Sequence, residues 1–299
     1  MHHDVAFRVR NQNFTRCADR RTLRPMADNT NTTMTDSERG QVSTAAAEIY
    51  DTFFVPALFG QFPDQVLDHA RVRAGARVLD IGCGTGIVAK AAYRRVGANG
   101  EVVGVDPNEG MLAVARRSEE SIDWRLAGAE SLPIDDRSFD HILSQFAVMF
   151  FTDREAALHE MARVTVPGGT VTIATWAGLD RTPGYDAMVA LIDDELGEAA
   201  ANALRVPFVL GDVEDVRQLL TPFGHDIRVD EIAGTARFAS IADWVHTDVR
   251  GWTLTDLVDD AGEAALVARA ERELASFVSA DGSVTFPAPA LVATTQIDH

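Results

Sequence analysis

The chain has 299 residues, 46% of them apolar, and a formal net charge of −18. That length and apolar content predict a globular protein built as one large α/β domain with an elaboration, or as two small domains. The negative charge argues against broad electrostatic attraction to nucleic acid, and no apolar run reaches the roughly 18 residues of a membrane span.

Residues 1 to about 40 are polar and aperiodic, ending in ADNTNTTMTDSERG. Such a segment buries too little apolar surface to offset its ordering entropy, so a disordered tail is predicted, with the folded domain over 41–299. Residues 1–24 hold six Arg against Asp4 and Asp19, a balance of +4 that leaves −22 on the remainder and reads as a solvated segment. The opening MHHDVAFRVRNQNF lacks an apolar core and does not read as a signal peptide. Met26 and Met34 are both alternative starts. Cys17 and Cys83 are the only cysteines, which predicts neither a disulfide framework nor a cysteine metal site, and a reducing, cytoplasmic compartment.

From 42 to about 70 the pattern turns helical and aromatic, interrupted by Pro56 and Pro63. Strands and helices then alternate: strands at 77–81, 101–106, 122–127, 139–145 and 170–176, with helices at 87–96, from Pro107 to about 118, and from a Thr152–Glu155 capping box to about 164. This rhythm predicts a Rossmann-like, mostly parallel seven-stranded sheet with helices on both faces. Beyond Trp176 an acidic helix is expected at 186–200, another at 212–222, a strand near 226–232 and helices from 240 to 280. The segment SVTFPAPALVATTQ at 283–296 reads as a strand broken by Pro287 and Pro289, which suits an edge or a bent entry. Parts of 41–70, 180–210 and 240–280 are expected to form a helical cover over the sheet.

The segment Asp80-Ile81-Gly82-Cys83-Gly84-Thr85-Gly86 follows the first strand and opens the first helix, and Asp106 ends the second strand 20 residues after Gly86. Glycines there permit unusual backbone angles and close approach of a ligand, and the acid can accept hydrogen bonds from two ribose hydroxyls. Nicotinamide sites favour G-x-G-x-x-G with the pyrophosphate on the helix N-terminus. Here the spacing is G-x-G-x-G behind an acid, which suits the ammonium-bearing end of S-adenosylmethionine (SAM), with Asp80 neutralising it directly or through water.

VLDIGCGTG, VVGVDPNEGML, AESLPIDDRSFDHI and VPGGTVTIATW, in that order, resemble the successive motifs of class I SAM-dependent methyltransferases, most closely the ubiquinone/menaquinone-biosynthesis-type group acting on small molecules. The resemblance spans roughly residues 45–235. It implies that Gly82, Cys83, Gly84 and Gly86 form the floor under the methionine part of SAM and that Asp106 binds the ribose. It implies that Met111 packs on adenine, although a helix-core role fits it too, and that Ala129 and Glu130 reach the adenine edge. Gly128 stands where the family often has an aspartate, which leaves adenine to backbone groups or Glu130. Ser144 and Gln145 would face the reactive methyl. Tyr50 sits in a segment resembling the family's lid, where it touches SAM or simply packs.

Methyl transfer from a sulfonium needs alignment and exclusion of water more than strong acid–base help. A carbon or oxygen nucleophile also needs a base. Of His69, His141, His159, His225 and His246, His246 lies in the C-terminal helical part of the expected cover, and with Tyr50 it is the catalytic candidate. Phe150, Phe151, Trp176, Tyr185 and Phe208 are candidate walls of a substrate pocket and suggest an apolar or aromatic small molecule. The alternatives are a SAM-binding protein without transferase activity and a nicotinamide-dependent oxidoreductase.

Overall fold

The computed structural model describes residues 44–251, 254 and 258–298. The expected tail over 1–40, with Cys17, Met26 and Met34, lies outside the described residues.

Strands β1 (Arg77–Ile81), β2 (Glu101–Asp106), β3 (Asp123–Leu126), β4 (Phe139–Gln145), β5 (Thr165–Trp176), β6 (His225–Ile232), β7 (Thr235–Phe238), β8 (Val284–Pro287) and β9 (Ala290–Gln296) make two sheets. Seven form the main sheet in the order β3-β2-β1-β4-β5-β9-β6, and β7 pairs with β8. The pairings from β3 through β5 are all parallel, and β9 runs antiparallel to both neighbours. This is the Rossmann-like, mostly parallel sheet that the alternation predicts. β1 and β2 are nearly continuous apolar runs, as strands covered on both faces require.

In chain order the helices are α1 (Thr44–Ile49), α2 (Val55–Ala57), α3 (Pro63–His69), α4 (Ile87–Val96), α5 (Glu109–Ser118), α6 (Arg154–Val164), α7 (Pro183–Leu196), α8 (Glu198–Arg205), α9 (Val213–Leu220), α10 (Ile241–Arg250) and α11 (Asp260–Glu273), with a π-helical turn Tyr50–Phe54 between α1 and α2. No described helix is long and apolar enough to cross a membrane.

Three expectations need correction. Pro107 does not begin a helix: Asn108 caps α5, its side-chain oxygen accepting from Met111 N at 3.0 Å. The cap of α6 is Asp153, accepting from Ala156 N at 2.9 Å, so Thr152 is outside the box assigned to it. The acidic helix breaks at Gly197, whose backbone (φ 86°) no helix accommodates. The C-terminal segment takes the bent entry rather than the edge. Pro287 ends β8, and β9 then inserts between β5 and β6, so β6 takes the edge. Pro287 and Pro289 mark the transfer from one sheet to the other, where a missing N–H breaks no ladder. Strand β7 went unpredicted, being four residues long in a polar link.

The bend after β1 is shaped by one indole. Trp124 on β3 donates its ring N–H to Glu119 O at 2.8 Å and lies against Gly86, where an added Cβ would stand 2.3 Å from Trp124 Cη2. Gly86 also has φ 85°. Replacing Gly86 by Ala therefore meets both a disfavoured backbone and a packed ring, and is expected to cost about 2–4 kcal/mol in a urea titration. A loss below about 0.5 kcal/mol would show that the ring gives way freely.

Candidate functional site

Two adjoining cavities lie at the carboxyl ends of the central strands, where open α/β sheets bind ligands. The larger, of about 450 Å³, is lined by the β1–α4 turn, the end of β2, the 128–130 segment and the turn after β4. Its volume matches a nucleoside-sized ligand.

Asp80 is buried and its Oδ2 accepts from Ala89 N at 2.9 Å, satisfying a free N–H of the first turn of α4. Burial pushes its carboxyl up to about 7, the Ala89 bond opposing this and the charge of Asp106 adding to it. Asp106 Oδ2 accepts from Gly84 N at 2.9 Å and Oδ1 from Asn108 N at 2.8 Å. Burial raises its carboxyl to about 6 against those two bonds. The same apolar surroundings, with Asp106 and Asp80 nearby, push the Cys83 thiol well up, so it is an inert wall. Gly84 (φ 54°) has nothing within 4 Å of where its Cβ would be, so the turn presents bare peptide to the cavity. Thr85 Oγ1 and Gln145 Oε1 are buried without a hydrogen-bond partner, and both residues line this cavity. The described lining contains two buried acids and no Lys, Arg or His.

Most of the anticipated residues meet here: Tyr50, Asp80, Gly82, Cys83, Gly84, Asp106, Met111, Ala129, Glu130, Gln145, Phe150 and Phe151 all line the larger cavity. Met111 lines this cavity and also packs with Ala47 and Val114 against Tyr50. Glu130 Oε1 accepts from Thr152 N at 2.9 Å and Asp153 N at 3.3 Å, so its carboxylate braces the loop before α6. Two of the anticipated residues lie outside the lining. Gly86 does not line the cavity, because Trp124 occupies its open side. Ser144 is buried beneath the sheet end and lines neither cavity.

The second cavity is small, about 50 Å³, and apolar. Trp176, Tyr185 and Phe208 line it with Leu204, Phe59 and Asp248. Tyr50, Phe146 and Phe150 line both cavities and form the wall between them. Phe146 was not anticipated. It has φ 55°, an uncommon backbone for a bulky residue. Phe146 N donates to Ala174 O at 2.8 Å, and the ring stacks on Trp176 at 4.0 Å between centroids. Its position one residue past β4 was the available clue.

His246 is placed elsewhere. Its Nδ1 lies 2.8 Å from Glu263 Oε1, in a cluster with Arg250 that ties α10 to α11, and it lines neither cavity. His69, His141, His159 and His225 also line neither. Asp248, missed by sequence reasoning, is buried in the second cavity and bonds Tyr185 Oη at 3.1 Å.

Comparison with known proteins decides the family. The family description "Methyltransferase domain" matches residues 79–173. The ubiquinone/menaquinone biosynthesis C-methyltransferase of Stenotrophomonas maltophilia is 35% identical over 175 residues, 54% of this chain and 69% of that protein. The chain belongs to the class I SAM-dependent methyltransferases of the ubiquinone/menaquinone C-methyltransferase group. The enzyme of that name from Hahella chejuensis is 42% identical over 113 residues, 36% of this chain. These two alignments span 45% and 69% of the relatives' own length. Among solved structures, a putative methyltransferase from an antibiotic biosynthesis pathway of Anabaena variabilis superposes with a TM-score of 0.57 at 20% identity, over 79% of this chain and 96% of that one. At that identity the likeness shows the shared fold.

Proposed function

We propose that this methyltransferase moves the methyl group of SAM to a small, apolar or aromatic molecule that lies against Tyr50, Phe146 and Phe150 and reaches into the second cavity. The observation that carries this is the charge of the larger cavity: two buried carboxylates and no cation among its described lining. A dinucleotide pyrophosphate would be repelled there, whereas a ligand with an ammonium and a sulfonium is matched. The exposed peptide at Gly84 and the unpartnered Thr85 and Gln145 oxygens fit the polar amino-acid end of SAM.

Asp106 would hold the ribose hydroxyls with the lone pairs left free by Gly84 and Asn108. Asp80 would sit opposite the ammonium, and Met111, Ala129 and Glu130 at the adenine. When bound, SAM would supply an activated methyl group to the acceptor. The chain's part is to align and to exclude water. Tyr50, Phe146 and Phe150 stand between the cavities and set the path from one to the other. A sulfonium losing its charge needs no strong acid at that point, and Tyr50, whose hydroxyl is held far above its ordinary ionisation range by burial, stays neutral there.

The test is release of S-adenosylhomocysteine by the purified protein given SAM and a panel of apolar aromatic acceptors. Release above the acceptor-free blank is expected. SAM that raises the melting temperature with no release across the panel would leave a binding protein, and stabilisation by NADH but not SAM would overturn the cofactor reading.

A further inference from the structure

Asp248 is 2% exposed in a box of aromatic side chains. It lines the second cavity and not the larger one. Its Oδ1 is engaged by Tyr185 Oη at 3.1 Å, and its Oδ2 has no hydrogen-bond partner. The cavity's described lining offers no Lys, Arg or His to pair a charge. An isolated carboxylate in such surroundings is too costly to persist, and the group holds its proton instead. With Tyr185 donating to Oδ1, the neutral acid turns an unused O–H donor from Oδ2 toward the cavity.

We propose that Asp248 is the polar anchor of the acceptor site, donating a hydrogen bond to a carbonyl oxygen on a flat, otherwise apolar acceptor. This rests on reading the second cavity as the acceptor pocket. Asp248 lies outside the wall of Tyr50, Phe146 and Phe150 that both cavities share, so it selects and orients the molecule from the acceptor side. A buried donor left unpaired penalises analogues lacking the oxygen, which makes such a group a strong discriminator.

Burial pushes the Asp248 carboxyl up to about 8, with Tyr185 and the nearby Trp244 indole N–H opposing that rise. The titratable groups facing it are Tyr185 on α7 and Tyr50 ahead of α2, and burial holds both hydroxyls well above their ordinary range. The charged groups of its own helix are engaged elsewhere: Asp243 with Ser240, His246 and Arg250 with Glu263. Between neutral and alkaline pH, Asp248 is therefore the group facing this cavity that changes charge.

The probes are acetophenone and α-methylstyrene, which differ by C=O against C=CH2, titrated into protein saturated with S-adenosylhomocysteine. A pocket without a donor favours the less hydrated hydrocarbon. At neutral pH the wild-type chain is expected to bind the ketone at least as tightly. Raising the pH to about 9.5 is expected to shift the ratio against the ketone by about tenfold. Asp248→Leu is expected to shift it similarly at every pH. Asp248→Asn, which keeps an oxygen for Tyr185 and presents an N–H, is expected to keep the ketone preference and lose its pH dependence. If Asp248→Leu does not fold, the wild-type pH series and Asp248→Asn still decide. A hydrocarbon preference in the wild type, an unchanged ratio at alkaline pH, or failure of both probes to bind at millimolar concentration overturns the assignment. S-adenosylhomocysteine is titrated separately: no binding there sinks the cofactor reading, whereas normal binding without ketone preference sinks only the role of Asp248.

Discussion

Asp106→Ala is expected to weaken S-adenosylhomocysteine binding by about two orders of magnitude or more while the apo protein keeps its melting temperature. The first half follows from lost bonds. Two hydroxyl bonds to an ionised carboxylate contribute about 1.5–3 kcal/mol each, and about 1.4 kcal/mol is tenfold in affinity. The carboxylate also fixes the turn it faces, through Gly84 N at 2.9 Å and Asn108 N at 2.8 Å, so its loss loosens the backbone on which the ligand rests. The second half follows from the acid's own cost. A carboxyl raised to about 6 by burial is held against its preference, so its removal relieves an expense that offsets the two lost backbone bonds. Calorimetry on both proteins decides. Affinity within about threefold of wild type would contradict the ribose role, and a large fall in apo melting temperature would make Asp106 a structural residue first.

The parallel part of the sheet was legible because its signals are local. A buried parallel strand writes itself as a short apolar run, and β1, β2 and β4 fall where RVLDI, EVVGVD and FDHILSQ place them. Much of the larger cavity's lining was legible for the same reason: its glycines and acids stand at the ends of strands at fixed spacing. What stayed hidden depends on residues distant in sequence. The place of β9 between β5 and β6 is set by pairings such as Thr172 with Thr294 and Val229 with Ala293, which no window of sequence contains. Gly86 looked like part of a ligand floor because the spacing cannot reveal that Trp124 fills the space beside it. Asp248 looked like one more acid on an amphipathic helix. Only the packing of α7 and β8 around α10 turns it inward, with Tyr185 bonded to it and Phe286 stacked near Trp244.

Asp248→Asn is expected to flatten the loss of stability that the wild-type chain suffers as the pH rises. The carboxyl stands at about 8 in the folded chain against 3.8 for an ordinary aspartate. Between those values the folded chain keeps a proton that the unfolded chain has released, so the unfolded state binds fewer protons and stability falls with rising pH. The contribution is fully present below about 4 and gone above about 8, a slope of about 1.4 kcal/mol per pH unit at most. Asp80 and Asp106 act in the same direction over lower windows, up to about 7 and about 6. The net charge of −18 adds self-repulsion of the same sign. Wild type alone therefore cannot isolate one group, but the difference between the two proteins can. Asparagine copies the shape of the neutral acid and keeps an oxygen for Tyr185, so the two melting temperatures should agree near pH 4.5 and separate by roughly 5 °C or more, the variant higher, at pH 8.5. Parallel curves across that range would mean that Asp248 ionises as freely in the folded chain as in the unfolded one, which is incompatible with a sealed aromatic box around it.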